Sequence, residues 1–141
     1  MEKREMLAEI KEKTDAVIIK EFSSDGATIE YNSSGEAKGD KYRASHLETT
    51  DVKMKMDGTN EWESRSMEIT KEGDVVMISG KGTGKANNFS GEVTYMTNSP
   101  RLNWLNNTKG YIEGSTDIKG NETTIKVWAE KKEEATAAAM M

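Results

Sequence analysis

Turn-forming clusters punctuate this chain at strand-length intervals, and no other feature restricts its fold as strongly. Asp25-Gly26, Asn32-Ser33-Ser34-Gly35, Lys38-Gly39-Asp40, Asp57-Gly58, Glu72-Gly73-Asp74 and Lys119-Gly120-Asn121 combine glycine, which turns at no steric cost, with side chains that hydrogen-bond their own backbone. Asp25-Gly26 and Asp57-Gly58 are of the type that allows two successive positive φ angles, the requirement of a tight hairpin. Between the turns the pattern has period two. Val52, Met54 and Met56 point one way and Asp51, Lys53 and Lys55 the other, while Phe89, Val93 and Tyr95 oppose Ser90, Glu92 and Thr94. A strand with one wet face needs an apolar residue only at every second position, which suits a chain that is 34% hydrophobic with a mean hydropathy of -0.80.

The expectation is therefore an all-β fold, an antiparallel meander closed into a small barrel of about eight strands, since closure removes the exposed edges of a long sheet. The phase slips between Trp62 and the pair Met67 and Ile69, which points to a bulge there. Pro100 lies where it can end one strand and redirect the chain into Leu102-Asn103-Trp104-Leu105. Residues 1–130 read as one barrel domain and 131–141, rich in Lys, Glu and Ala, as a flexible or helical tail. Residues 2–14 read as a short helix, because Glu2 to Lys13 are strong helix formers with Met6, Leu7 and Ile10 on one face. Val17 to Phe22 reads as the first strand.

Charge and composition exclude several functions. The net charge is -5, with Lys and Arg interleaved among Asp and Glu, so no basic footprint exists for nucleic acid. No apolar run is long enough for a membrane-spanning helix, and the charged N-terminus is unlike a signal peptide. Cysteine is absent, which removes disulfides, thiolate metal sites and thiol nucleophiles and favours a cytoplasmic setting. His46 is the single histidine, so a multi-histidine metal centre is impossible, and any metal would need carboxylate and carbonyl oxygens. Neither a metal nor a cofactor is expected.

Gly80-Lys81-Gly82-Thr83-Gly84-Lys85 misses the phosphate-loop spacing, because Ser79 stands where its first glycine belongs and Ala86 where a hydroxyl belongs. Glycines two apart instead leave one side of a strand bare, where a barrel bends or a bulky ring packs across. His46 reads first as a half-exposed spacer and second as a general base. Met54, Met56, Met67, Met77 and Met96 read as filler of an irregular core. The aromatics make the better case for function. Trp62, Tyr95, Trp104 and Tyr111 lie in or beside expected strands, with Arg65, Arg101 and Glu113 near them in sequence; an inward charge there would have to be paired or meet a polar ligand.

From Gly80 onward the order is a glycine-rich strand, then Gly91-Glu92-Val93-Thr94-Tyr95-Met96-Thr97-Asn98-Ser99, then Leu102-Asn103-Trp104-Leu105-Asn106-Asn107, then Glu113 and a closing Lys126-Val127-Trp128. This half of the chain, and more faintly Ala44 to Thr70, resembles small uncharacterised prokaryotic proteins of the calycin-like kind and is similar in overall look to the allene oxide cyclase barrel. The resemblance implies an antiparallel barrel, able to form oligomers and hollow in some members; it carries over no catalytic residue.

Three functions remain open. The leading one is a barrel that takes a small apolar or amphipathic ligand, with Trp62, Tyr95, Trp104 and Tyr111 as walls and Arg65, Arg101 or Glu113 fixing its orientation. A second is a cofactor-independent isomerase or cyclase that moves a proton with His46 or Glu113. The third is an assembly module whose outer face meets another copy as a homo-oligomer.

Overall fold

The computed structural model of the protein describes residues 4–106, 108–117, 119 and 121–130. Eight strands follow one another: β1 (Arg4–Ser23), β2 (Gly26–Lys38), β3 (Arg43–Lys55), β4 (Thr59–Thr70), β5 (Val75–Lys85), β6 (Asn88–Thr97), β7 (Lys109–Asp117) and β8 (Glu122–Glu130). Each is antiparallel to the next, and β1 also pairs with β8, so the sheet closes into a barrel. The expected all-β barrel is therefore present, but the expected N-terminal helix is not.

β1 overturns that helix. Its helix-forming residues pair on one side with β8, Arg4 opposite Glu130 through Lys13 opposite Glu122, and on the other with β2 from Glu9 onward. Two ladders of backbone hydrogen bonds and the burial of Leu7, Ala8 and Ile10 outweigh local propensity, which differs among such residues by only about 0.7 kcal/mol each. The strand carries three register shifts, at Met6/Ala8, Thr14/Ala16 and Ile19/Glu21, and these bulges supply the bend that closure requires. Beyond Lys13 it has no β8 partner, and Val17, Ile18, Ile19 and Phe22 stand exposed on an overhang paired with β2.

Several finer expectations are corrected. Asn32-Ser33-Ser34-Gly35 is no turn but lies within β2, with small residues packed against β1 and β3. No phase slip occurs in β4, whose register with β3 and β5 is unbroken. Trp62, Ser64, Ser66, Glu68 and Thr70 all face inward, while Met67 and Ile69 face out. Met54 is half-buried and lines the barrel interior, but the other expected core methionines fill no core. Met67, Met77 and Met96 are register partners across β4, β5 and β6 and, with Leu47 beside Met67, form an exposed outer stripe; Met56 is exposed in a turn. In Asp57-Gly58 the glycine alone takes a positive φ, of 89°, so the turn is not of the doubly positive kind. The tail at 131–141 lies outside the described residues, as do residues 1–3 of the expected helix.

One end of the barrel is stoppered. The β6–β7 connection carries a 3-10 turn at Asn103–Leu105, and Leu102 and Leu105 from it are buried in the core with Tyr42 from the β2–β3 connection. Trp104 caps Tyr42 edge-on at 6.3 Å. Nearer the other end, the Trp62 ring lies across Gly82 and Gly91, its Cζ2 only 2.7 and 2.6 Å from where a Cβ on either would be. The glycine-rich strand is thus bare where a large ring packs over it, and Phe89 meets that ring edge-on at 6.0 Å.

Gly91→Ala should destabilise the fold by about 1–3 kcal/mol, because the added methyl drives into the indole and the facing backbone. Denaturant unfolding at equilibrium measures this, and an unchanged midpoint would remove the packing role assigned to Gly91.

Candidate functional site

Four residues fall in one row across the wall. Glu12 on β1 is the register partner of Gly35 on β2, Gly35 of His46 on β3, and His46 of Glu68 on β4. Period two sends all of them to the interior. Gly35 carries no side chain, so the Glu12 carboxyl and the His46 imidazole meet over its bare backbone, with Glu12 Oε2 3.4 Å from His46 Nε2.

His46 is held at both nitrogens. Nδ1 lies 2.7 Å from Glu68 Oε2 and Nε2 2.9 Å from Glu48 Oε1, and the ring is only 2% exposed. Glu68, fully buried, also accepts the Tyr42 hydroxyl at 2.6 Å. Glu48 accepts Thr50 Oγ1 at 2.7 Å and Ser66 Oγ at 3.2 Å besides the imidazole. Both of its oxygens are therefore occupied. The two orphans are Glu12 Oε2 and the Tyr95 hydroxyl, each buried with no hydrogen-bond partner among the described residues.

Burial and neighbours push the protons of this cluster in opposite directions. For His46, burial works against the charged ring, but the hydrogen bonds and charges of Glu48 and Glu68 outweigh it and raise its pKa to about 10. Burial would raise Glu48 too, yet the His46 hydrogen bond and charge, with Thr50 and Ser66, hold its carboxyl below the usual range. Glu12 goes the other way. Burial first, then the adjacent Glu48 charge, raise it to about 8 against the smaller opposing pull of His46. Burial also raises Tyr95. At neutral pH the cluster thus holds an imidazolium beside the Glu48 carboxylate, and Glu12 keeps its proton.

These groups open onto a cavity of about 360 Å³ inside the barrel. Glu12, His46, Glu48, Ser66 and Tyr95 line its polar part, Val52, Trp62, Ile78, Phe89, Val93, Ile112, Ile125 and Val127 its apolar wall, and Asn60, Asn87, Asn88 and Asn121 also border it. The asparagines belong to the end of the barrel opposite the Leu102 and Leu105 stopper, where the β3–β4, β5–β6 and β7–β8 turns lie. As a metal site, Glu12, His46 and Glu48 offer one ligand atom each within 4.8 Å of one another, a mixed nitrogen and oxygen set that differs from the all-oxygen set expected from one histidine. A cation there would compete with the proton on His46.

Of the residues singled out in the sequence, Trp62 and Tyr95 line this cavity. The Trp62 indole also donates to the Thr83 carbonyl at 3.2 Å. The other five lie elsewhere. Arg65 is exposed on β4 and pairs with Asp51 at 3.1 Å; Arg101 is exposed on the β6–β7 connection against Glu72 and Asp74. Trp104 sits outside the stopper with Lys41 over its ring at 5.0 Å. Tyr111 is half-buried on β7, its hydroxyl 3.5 Å from Glu130 and Lys109 over its ring, and Glu113 is exposed on the same strand. His46, read first as a half-exposed spacer, is one of the most deeply buried side chains.

Glu12, Glu48 and Glu68 were missed, although a signal for two of them exists. Counting back by twos from Val52 places Thr50, Glu48 and His46 inward, and counting on from Trp62 places Glu68 inward. Glu12 was hidden by the helix assigned to its segment.

No family model matches the chain, and no curated protein matches it. Solved structures do. A protein of unknown function from Clostridium acetobutylicum ATCC 824 superposes with a TM-score of 0.81 at 16% identity, covering 93% of this chain and 98% of its own. A β-barrel-like protein from Acinetobacter baumannii AYE gives 0.77 at 19%, covering 92% and 96%, and an enzyme from Penicillium herquei gives 0.74 at 17%, covering 92% and 95%. At such identities the likeness is one of fold: the chain is a small eight-stranded antiparallel barrel.

The cluster makes stability depend on pH. Folded Glu12 keeps its proton to about pH 8 against an ordinary 4.5, and folded His46 to about pH 10 against 6.5. The folded state therefore binds more protons, so these contributions are fully present below the ordinary values and are lost as pH rises through the folded ones. Glu48, shifted the other way, acts only below its ordinary 4.5. Melting temperature should fall from about pH 5 to about pH 10, and Glu12→Gln should flatten the part below pH 8. A wild-type melting temperature level across that range would contradict the protonation assigned here.

Proposed function

We propose that the protein binds a small, mainly apolar molecule with one polar end inside its barrel. The observation that carries this reading is the pair of orphaned buried groups, Glu12 Oε2 and the Tyr95 hydroxyl, on the lining of a cavity of about 360 Å³ whose surface is mainly apolar. Leaving such a group unpaired costs about 1–3 kcal/mol, and a ligand that supplies its partner recovers that cost. The volume lies within the roughly 300–1,000 Å³ of small-molecule sites. Apolar walls with a few polar groups at one place orient a ligand by its polar end.

The polar end is an oxygen acceptor or hydroxyl. At neutral pH protonated Glu12 donates, and the Tyr95 hydroxyl can donate as well, so a carbonyl or alcohol oxygen is a partner for either. A cationic or an anionic head would meet the His46 imidazolium and the Glu48 carboxylate together, with no net attraction to offset its desolvation. Both are disfavoured. Resemblance to the allene oxide cyclase barrel agrees with a hollow interior, and the cysteine-free composition agrees with a cytoplasmic setting.

Trp62 lies in the cavity wall, so its fluorescence reports occupancy. A panel of medium-chain ketones, fatty alcohols and fatty acids should give saturable quenching with the ketones or alcohols and weaker quenching with the acids. Ile125→Trp, which fills the cavity, should abolish it. No saturable quenching by any class would contradict the reading.

A further inference from the structure

The two orphans line one cavity, one a carboxyl and the other a phenol, and an inference from that juxtaposition extends the binding reading, on which it rests. We propose that Glu12 is the catalytic proton carrier of a cofactor-independent isomerisation, taking a proton from a carbon beside a carbonyl of a mainly apolar substrate while the Tyr95 hydroxyl holds the carbonyl oxygen. The first step, by the ionised form of Glu12, breaks the C–H bond and forms an O–H bond on the carboxylate; the electron pair moves into the carbonyl, and the enolate oxygen accepts the Tyr95 hydroxyl. In the second, Glu12 returns the same proton to the far end of a carbon–carbon double bond that the substrate carries next to the acidic carbon; that double bond moves into conjugation as the carbonyl re-forms. Atoms and charge balance without an oxidant, reductant or metal.

Three features single out Glu12 among the interior carboxyls. Glu48 accepts three side-chain donors and Glu68 accepts two, whereas Glu12 Oε2 accepts no hydrogen bond among the described residues and has the His46 imidazole 3.4 Å away. It lines the cavity together with Tyr95. Its surroundings also suit a base that must work near neutrality. The titratable groups around it are His46 and Glu48 from β3 with Glu68 behind the imidazole on β4, and Asp15 on its own strand, while Tyr95 of β6 lines the same cavity. β2 contributes Tyr31 and Ser33, and β8 Thr123 and Ile125. The Glu48 carboxylate and burial hold the Glu12 proton on, the His46 imidazolium opposes them, and the outcome is a pKa of about 8.

The probe is 5-nitrobenzisoxazole, a flat apolar molecule whose C–H proton is removed by a base as its N–O bond breaks, releasing a coloured nitrile phenolate. Binding is read separately by Trp62 quenching. The expected result is quenching together with turnover that rises with pH around a midpoint near 8. Glu12→Gln should still bind and lose about 100-fold or more in rate, Glu12→Asp should keep a pH-dependent rate, and Tyr95→Phe should lower the rate through the departing oxygen. Quenching with turnover equal in wild type and Glu12→Gln would overturn the catalytic role and leave the binding reading standing. Absence of quenching would overturn both.

Discussion

Everything in the interior depends on the pairing of β1 with β8. That ladder runs from Arg4 opposite Glu130 to Lys13 opposite Glu122 and turns an open meander into a barrel without free edges along that length. It also carries Glu12 to the inside, because only a strand at this place, in this register, aligns it with Gly35, His46 and Glu68. A helix at residues 4–13 would have left His46 and its carboxylates at an open edge in water. Closure therefore creates the fold and the chemistry of its cavity together.

Closure also imposes a cost that the interior must offset. Three carboxyls and an imidazole sit inside an apolar barrel, where an unpaired charge is expensive. Most of it is met locally: Glu68 and Glu48 bracket the ring, and Tyr42, Thr50 and Ser66 fill the remaining lone pairs. Packed apolar side chains would serve stability equally well or better. A fold that retains such a network, and leaves one carboxyl oxygen and one phenol unsatisfied within it, departs from the rules of stable packing where function is to be sought. The stopper of Leu102, Leu105 and Tyr42 separates that network from water at one end of the barrel.

The architecture was legible because antiparallel strands with one wet face write their period directly into the sequence, as Val52 to Lys55 and Phe89 to Tyr95 do. The glycines of β5 were legible for a related reason, since residues two apart share a face and Trp62 needed the space. The site was not. Aromatic residues drew attention toward Trp104 and Tyr111, which lie outside the cavity, and salt-bridged surface residues such as Arg65 and Arg101 cannot be told from inward ones by composition. Buried acidic side chains invert the ordinary rule that such groups face water, so Glu48 and Glu68 looked like solvent positions although their parity with Val52 and Trp62 placed them inside. In β4 this inversion took the form of a false phase slip: outward Met67 and Ile69 were read as core and inward Glu68 as surface. At Glu12, tertiary pairing overrode helix propensity, and no local signal announces that.

The claim on which the rest turns is that the barrel holds a neutral, free Glu12 carboxyl next to a charged His46. Carbon and nitrogen magnetic resonance of the Glu12 carboxyl and the His46 ring, followed across pH, measures both states directly. The account predicts a Glu12 carboxyl that titrates near 8 while the ring stays doubly protonated to about 10. A Glu12 that titrates with ordinary carboxylates near 4.5, or a ring that is neutral at pH 7, would contradict it.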